Sequence, residues 1–252
     1  MQDISVYYHL FIPAHDSSCR LWNWWVDEQL HALIVSDLAW EAKINIAITM
    51  PIYYRIDINH DEPFEQTVRH YINLRYPFVN IIDIRDTGQP NIYEGHTLQY
   101  LYDDCLQKDQ LVLYLHSKGT HYHTTYVSAW RQLLNYYCII QWRDCLEILK
   151  HADVVGVKDA TTIDNRVSGN FWWSKSNYIR QLKHPLAVND YSKTSETYQD
   201  QPGYRYAFEE WIASGRPTTQ YIADTKTDHY KDYCFLENLI DRKSTRLNSS
   251  HI

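Results

Sequence analysis

Leu111-Val112-Leu113-Tyr114-Leu115-His116-Ser117-Lys118-Gly119 decides the fold. Its first five residues are apolar or aromatic without a break. Such a run fits a strand covered on both faces, as happens where helices pack on either side of a parallel sheet. The run then stops on an imidazole, a hydroxyl, an ammonium and a glycine. Upstream the same pattern recurs. Residues 6–12 (VYYHLFI) are β-rich and end at Pro13, residues 44–49 (INIAIT) precede Pro51, and residues 79–84 (VNIIDI) form a third such run. Between them, Trp22, Trp25, Val26, Leu30 and Leu33 fall at helical spacing. Residues 64–74 are helical and stop ahead of Pro77, and residues 93–106 are helical again. Downstream, Trp130, Leu133, Leu134, Tyr137, Cys138, Cys145, Leu146 and Leu149 predict one long helix, and residues 153–157 a fifth strand. The alternation predicts an α/β fold: a single Rossmann-like domain with a mostly parallel central sheet and helices on both faces. All seven glycines (Gly88, Gly95, Gly119, Gly156, Gly169, Gly203 and Gly215) fall at predicted breaks. Residues 186–204 are polar and read as a surface loop.

Composition narrows the function. The chain has 252 residues, of which 44% are hydrophobic and 15% aromatic, with 22 Tyr and 9 Trp. A formal charge of −7 argues against nucleic acid as a partner, because such binders carry a basic patch and a high pI. The N-terminus has no basic region followed by an apolar core, so it does not read as a signal peptide. No run of about 18 apolar residues predicts a transmembrane helix, which leaves peripheral membrane association open. Cys19, Cys105, Cys138, Cys145 and Cys234 are odd in number and scattered, which fits a reducing compartment, and a cytoplasmic location is expected. Cys138 and Cys145 are expected to face the core.

Residues 241–251 (DRKSTRLNSSH) break from everything before them and resemble the translated product of a sequencing adapter over eleven consecutive positions. Residues 241–252 are therefore read as an artefactual, disordered tail, and residues 1–240 as the domain. On that reading the sequence is a metagenomic fragment, 240 residues is a lower bound, and the genuine chain is more acidic still.

In open α/β sheets, ligands bind beyond the carboxyl ends of the strands. That rule selects Pro13, Ala14, His15 and Asp16 after the first strand, Arg85, Asp86 and Asn91 after the third, and 116–120 after the fourth. No G-x-G-x-x-G, G-x-x-x-x-G-K-[ST] or G-x-S-x-G motif occurs, which speaks against dinucleotide carriers, P-loop enzymes and α/β-hydrolases. His116, Ser117 and Lys118 can all donate hydrogen bonds to a phosphate or a leaving oxyanion, or they form a solvated turn. His121 and His123 raise a three-histidine metal site with His116, but neighbouring loop histidines are more often solvated. Residues 57–62 look like half a calcium loop and lack its glycine and distal glutamate. A second cluster is Ser168-Gly169-Asn170-Phe171-Trp172-Trp173. An exposed Trp beside Asn suits stacking on a sugar ring, and a core tryptophan pair is the alternative. A third is 205–212 (RYAFEEWI), read as a short helix closed by Gly215 and Pro217, in which a carboxylate could serve as a general base.

These clusters together resemble a group of GT-A-type glycosyltransferase-like proteins of polysaccharide and surface-glycan synthesis. The resemblance spans roughly residues 5–215 and rests on 113–119, Trp130-Arg131, 169–173 and Glu209 ahead of Trp211-Ile212. It also takes in Tyr93-Glu94 with Thr97-Leu98, and 24–30 (WWVDEQL). It implies a transferase moving a sugar from a nucleotide-sugar donor to a glycan or lipid-linked acceptor. The donor would lie under the first half of the sheet, with Pro13, His15, Arg85, Asp86 and Ser117. The acceptor would meet Asn170, Trp172, Trp173, Trp130, Arg131 and Arg205. Glu209 takes the place of the catalytic base. Many such enzymes hold Mn²⁺ or Mg²⁺ on an Asp-x-Asp at the end of the fourth strand. Here His116-Ser117-Lys118 stands there, and neither His nor Lys suits a hard cation. Asp103-Asp104 lies in a helical stretch and does not substitute. The expectation is that His116 and Lys118 neutralise the diphosphate directly, with no metal ligand assigned. The alternative is a catalytically inactive carbohydrate- or nucleotide-sugar-binding protein on the same fold.

Overall fold

The computed structural model describes residues 2–13, 21–50, 64–86, 94–117, 125–159, 167–187 and 208–225. Seven strands form one sheet: β1 (Asp3–Phe11), β2 (Lys43–Met50), β3 (Val79–Asp86), β4 (Gln110–His116), β5 (Val154–Asp159), β6 (Trp172–Lys175) and β7 (Thr219–Thr225). Their spatial order is β3-β2-β1-β4-β6-β5-β7. β1 runs parallel to both β2 and β4, β2 to β3, and β5 to β7, while β6 is antiparallel to β4 and β5. The expected α/β class with a mostly parallel sheet is what the chain forms.

Alternation along the strands divides the core in two. Val6, Tyr8 and Leu10 of β1 join Leu113 and Leu115 of β4 on one face. That face is covered by α1 (Trp22–Val35), α3 (Phe64–Arg75), α5 (Thr125–Asn135) and α6 (Trp142–Leu149). The short α2 (Leu38–Glu41) leads α1 into β2. Tyr7, Val112, Tyr114 and Trp172 face the other way. They pack against α4 (Gly95–Gln107), α7 (Ser176–Ile179) and the turn holding Phe208, Trp211 and Ile212. Helices thus lie on both faces.

Three expectations need correction. The single helix over 130–149 is interrupted by a π-helical turn, Tyr136–Ile140. Such a turn shifts the register of the buried face and loosens a carbonyl from the helical ladder. Trp173 Nε1 donates to the Cys138 carbonyl there at 2.8 Å. Cys138 and Cys145 do both face the core. Second, Gly156 sits inside β5, at a register shift against β7, and not at a break. A Cβ there would stand 2.6 Å from Val167 Cγ1, so only glycine fits the close approach. Third, Trp172 and Trp173 are both fully buried. Adjacent strand residues point to opposite faces, and β6 lies between β4 and β5 with packing on each side. Neither ring has the exposure that stacking on a sugar requires. Of the polar stretch 186–204, residues from 188 lie outside the described residues, as do residues 226–252.

Candidate functional site

The chain leaves β1 for β2 and β3 on one side, while β4 lies on the other. The gap between the carboxyl ends of β1 and β4 is therefore the sheet's switch point, where open α/β sheets hold ligands. His9 and His116 pair in register across it. The next residue, Ser117, clasps the two strands. Its amide donates to His9 O at 2.9 Å, and its Oγ accepts from Phe11 N at 2.8 Å. With its hydroxyl spent in this way and only 4% exposure, Ser117 is a strand clasp, which sets it apart from the donor-binding role read from sequence. Pro13 is buried just beyond β1.

Imidazoles crowd this edge. His9 Nδ1 bonds Thr97 Oγ1 at 2.9 Å, and its ring meets His96 edge-on at 5.2 Å. Burial pushes the His9 imidazole well below its ordinary range, and the nearby His96 and His116 act in the same direction, so His9 is neutral at neutral pH. His116 Nε2 lies 2.8 Å from the Gly169 carbonyl. A carbonyl only accepts, so Nε2 carries the proton and any ligand contact of this ring falls to Nδ1. Gln29 Nε2 donates to the His116 carbonyl at 3.1 Å, fixing the end of β4 against α1.

The most organised group is one that sequence reading noted only in passing. Glu94, 5% exposed, opens α4. Tyr114 Oη donates to its Oε2, and Asn170 Nδ2 donates to Oε1 and Oε2 at 3.1 Å each. Trp172 Nε1 in turn donates to Asn170 Oδ1 at 2.9 Å, and the Trp172 ring stacks on Tyr114 at 5.2 Å. Burial, reinforced by the charge and hydrogen bond of Glu94 and by the charge of Glu209, raises the Tyr114 phenol well above its usual value. Tyr114 is therefore a donor at any working pH. Donors from β4 and from the 168–170 turn thus meet on one carboxylate, which suits its ionised, acceptor-only form.

Glu209 approaches the same place. It lies in the helical turn 208–210, half-buried. The Phe208 ring beside it covers Gly95 so closely that a Cβ there would stand 2.5 Å from Phe208 Cζ. The turn therefore rests on the first residue of α4, next to Glu94. Tyr114 thus bonds one carboxylate and lies within the electrostatic reach of a second.

The other sequence-selected residues disperse. Arg131 is 1% exposed and grips Glu28 of α1 with Nε at 3.0 Å and Nη2 at 2.8 Å. This bidentate pair joins α1 to α5 and is committed to the fold, so the structure does not bring it to the Glu94 centre. Trp130 Nε1 donates to Ser168 Oγ at 3.1 Å, holding the turn that carries Asn170. Arg85 pairs with Asp83 at 2.6 Å on β3, the edge strand. Asp86 ends that strand, two strands from β1, or about 10 Å. His15, Lys118 and Arg205 lie outside the described residues, as do His121, His123 and 57–62. Among the described residues, no group of three or more His, Cys, Asp or Glu could hold a metal ion. No helix among them is long and apolar enough to cross a membrane. His9 carried the signal that could have revealed this edge: a polar ring inside the otherwise apolar and aromatic run 6–12.

Residues 7–220 match the model of a family described as "Domain of unknown function (DUF8361)". No curated protein matches the chain. Among solved structures, it is similar to a candidate nucleotide-diphospho-sugar transferase from Desulfovibrio desulfuricans G20. The identity is 9% and the TM-score 0.42, covering 90% of this chain and 83% of that one. It is also similar to 4-diphosphocytidyl-2C-methyl-D-erythritol synthase, with 8% identity and a TM-score of 0.36 over 91% of this chain and 92% of that one.

Proposed function

The chain belongs to the DUF8361 family, and we propose that it transfers a sugar from a nucleotide-sugar donor to a glycan or lipid-linked acceptor. The observation that supports this reading is the seat of the Glu209 turn, whose Phe208 ring lies on Gly95 next to Glu94, the carboxylate that Tyr114 bonds near the end of β4. In the proposed step, the Glu209 carboxylate takes the proton of the acceptor hydroxyl. That oxygen attacks the anomeric carbon, and the bond from this carbon to the diphosphate breaks, the diphosphate leaving with the electron pair. A single displacement with one base inverts the anomeric centre. His116, through Nδ1 and in its protonated form, and Lys118 meet the charge that develops on the leaving group. The nitrogen donors of His116 and Lys118 at the end of β4 do not suit a hard cation.

Glu209→Gln tests the reading. It is expected to lower turnover by about 10²–10⁴-fold, the usual share of a general base, while nucleotide-sugar binding persists. The donor would be found by thermal shift with UDP-, GDP-, dTDP- and CMP-sugars, with and without Mn²⁺. A ligand at one hundred times its Kd raises stability by about 2.7 kcal/mol. Full turnover in Glu209→Gln, or no nucleotide-sugar bound by the wild type, overturns the proposal. Binding without any transfer by the wild type favours the inactive sugar-binding reading.

A further inference from the structure

β3 closes one side of the sheet, and the chemistry at the switch point makes no use of it. We propose that this strand pairs edge to edge with β3 of a second copy of the chain, antiparallel and about a twofold axis through Ile84. Such pairing is independent of the glycosyl-transfer reading, and either can fail without the other.

Three observations carry it. First, the edge is open. Among the described residues β3 pairs with β2 alone. Asn80 is exposed and residues 81–86 are half-buried. A strand in this position presents a row of N–H and C=O groups that another strand can meet. Second, its charges are sorted by face. Asp83 lies in register with Ala47 and Arg85 with Thr49, while Ile84 between them lies in register with Ile48. Ile48 and Ile84 belong to the first core cluster, so the two charged residues share the opposite face. There Arg85 Nε meets Asp83 Oδ2 at 2.6 Å, and both side chains still reach solvent.

Third, this pattern complements itself in one register. In a twofold antiparallel pair, directly opposed residues point to the same face, and residues equally far on either side of the axis oppose one another. With the axis through Ile84, Asp83 opposes the partner's Arg85, and Arg85 opposes the partner's Asp83. Each keeps its own-strand neighbour as well, so the signs alternate around the four side chains. On the other face Ile84 meets the partner's Ile84. An axis through Asp83 would set two carboxylates together, and one through Arg85 two guanidinium groups, both of which destabilise a strand pair. An axis through Ile82 leaves the charges opposite Ile81 and Val79.

Charges on an edge ordinarily turn unrelated strands away. Here they reject strands that lack the same pair in reverse order and accept a copy of the chain, which carries it. The pairing with β2 slips between Ile46 and Ala47 and leaves Ile82 out of the ladder. That slip ends the regular strand on one side of the axis, so the contact is short and the dimer is expected to be weak and reversible.

Sedimentation velocity of the full chain over a range of concentration tests this. Wild type is expected to form dimers that weaken as salt is raised, because the four charges stay within reach of solvent. Asp83→Arg and Arg85→Asp each oppose like charges twice across the axis, and each should weaken self-association by about 10- to 100-fold. Mixed in equal amounts, the two variants oppose Arg to Asp at both positions, so a heterodimer should return. A wild type that stays monomeric at its highest soluble concentration overturns the proposal. A dimer unchanged in both variants overturns it too, since the contact then lies on another face, as does a mixture without heterodimer. Should either variant not fold, hydrogen exchange on the wild type carries the test. The β3 amides that point away from β2 should exchange more slowly at high chain concentration than at low, and equal rates overturn the proposal.

Discussion

Gly95→Ala tests whether the turn that bears Glu209 rests on the start of α4, the arrangement that brings the two carboxylates together. An alanine Cβ would stand 2.5 Å from Phe208 Cζ and 2.6 Å from Cε1, with Leu186 Cδ2 at 3.2 Å. Carbon atoms in contact sit about 3.5–4.0 Å apart, so the ring must retreat by about 1 Å. Phe208 is 5% exposed and packed in the second core cluster, so the retreat displaces its neighbours. Overpacking of this kind costs about 1–3 kcal/mol. Against it stands the better helix propensity of alanine, about 0.5–1 kcal/mol. The net expectation is a loss of about 1–2 kcal/mol, read as a lower urea midpoint with unchanged m. Phe208→Ala alone should cost about 3–5 kcal/mol, because it empties a packed site. In that background the clash is gone and only propensity remains, so Gly95→Ala should become neutral or stabilising by up to about 1 kcal/mol. The change of sign is the critical result. If Gly95→Ala stabilises the wild type, or the two substitutions are additive, the ring does not lie on Gly95 and the placement of Glu209 beside Glu94 fails.

Other predictions can be checked by the same unfolding assay. Gly169→Ala should cost more than about 1–2 kcal/mol, because φ is +64° and the new Cβ meets Leu134 Cδ1; a smaller loss would mean the turn is not held as described. Trp173→Phe removes the donor to the Cys138 carbonyl in the π-turn, and the unpaired carbonyl should cost about 1–3 kcal/mol; a neutral outcome would show that the turn does not depend on it. His9 predicts a pH dependence: its unfolded value lies near 6.5 and its folded value well below. Above pH 6.5 both states are neutral and His9 contributes no slope. As pH falls through 6.5 the unfolded chain binds a proton that the folded chain does not. Stability then drops by up to about 1.4 kcal/mol per pH unit until the folded value is passed. His9→Gln should flatten this slope between pH 6.5 and 5. An identical slope in the variant would show that the imidazole is not kept neutral by burial.

The inner parallel strands β1, β2 and β4 were legible because burial on both faces leaves a mostly apolar signature, unbroken in 111–115. The helices that cover them keep a helical period: the observed bounds of α1, α3 and α4 lie within about two residues of those read from sequence, whereas the π-turn that splits 130–149 leaves no trace in that period. β6 escaped because four residues ending in Ser174-Lys175 make no period, and its tryptophans invite a different chemistry. β7 is an edge strand of mixed polarity, Thr219–Thr225, with too little buried surface to write a pattern. At the site, His116 and Ser117 were found by the rule about strand ends, but their hydrogen bonds were not. A hydroxyl beside an imidazole reads as a ligand group from sequence, whereas the Phe11 backbone that occupies Ser117 is 106 positions away. Glu94 escaped for the same reason: its partners Tyr114 and Asn170 are 20 and 76 positions distant.

The aromatic excess bears on where chemistry can reside. Trp173, which sequence reading places on a sugar, and many of the other rings join elements through their polar tips. Trp142 donates to the Ser36 carbonyl, Trp173 to Cys138, Trp211 to Lys183 and Tyr178 to Ile212, while Tyr71 and Tyr76 both donate to Asp27. Each such residue covers a large apolar area and closes one backbone or carboxylate acceptor that the interior would otherwise leave unmet. Trp172 follows the same rule but ends differently, since its acceptor is the Asn170 amide, which passes the constraint on to Glu94. An aromatic that elsewhere secures the fold here aims a carboxylate. Trp172 and Trp173 thus spend both their rings and their indole N–H groups inside the fold, and contact with a ligand at the switch point falls to residues other than these two.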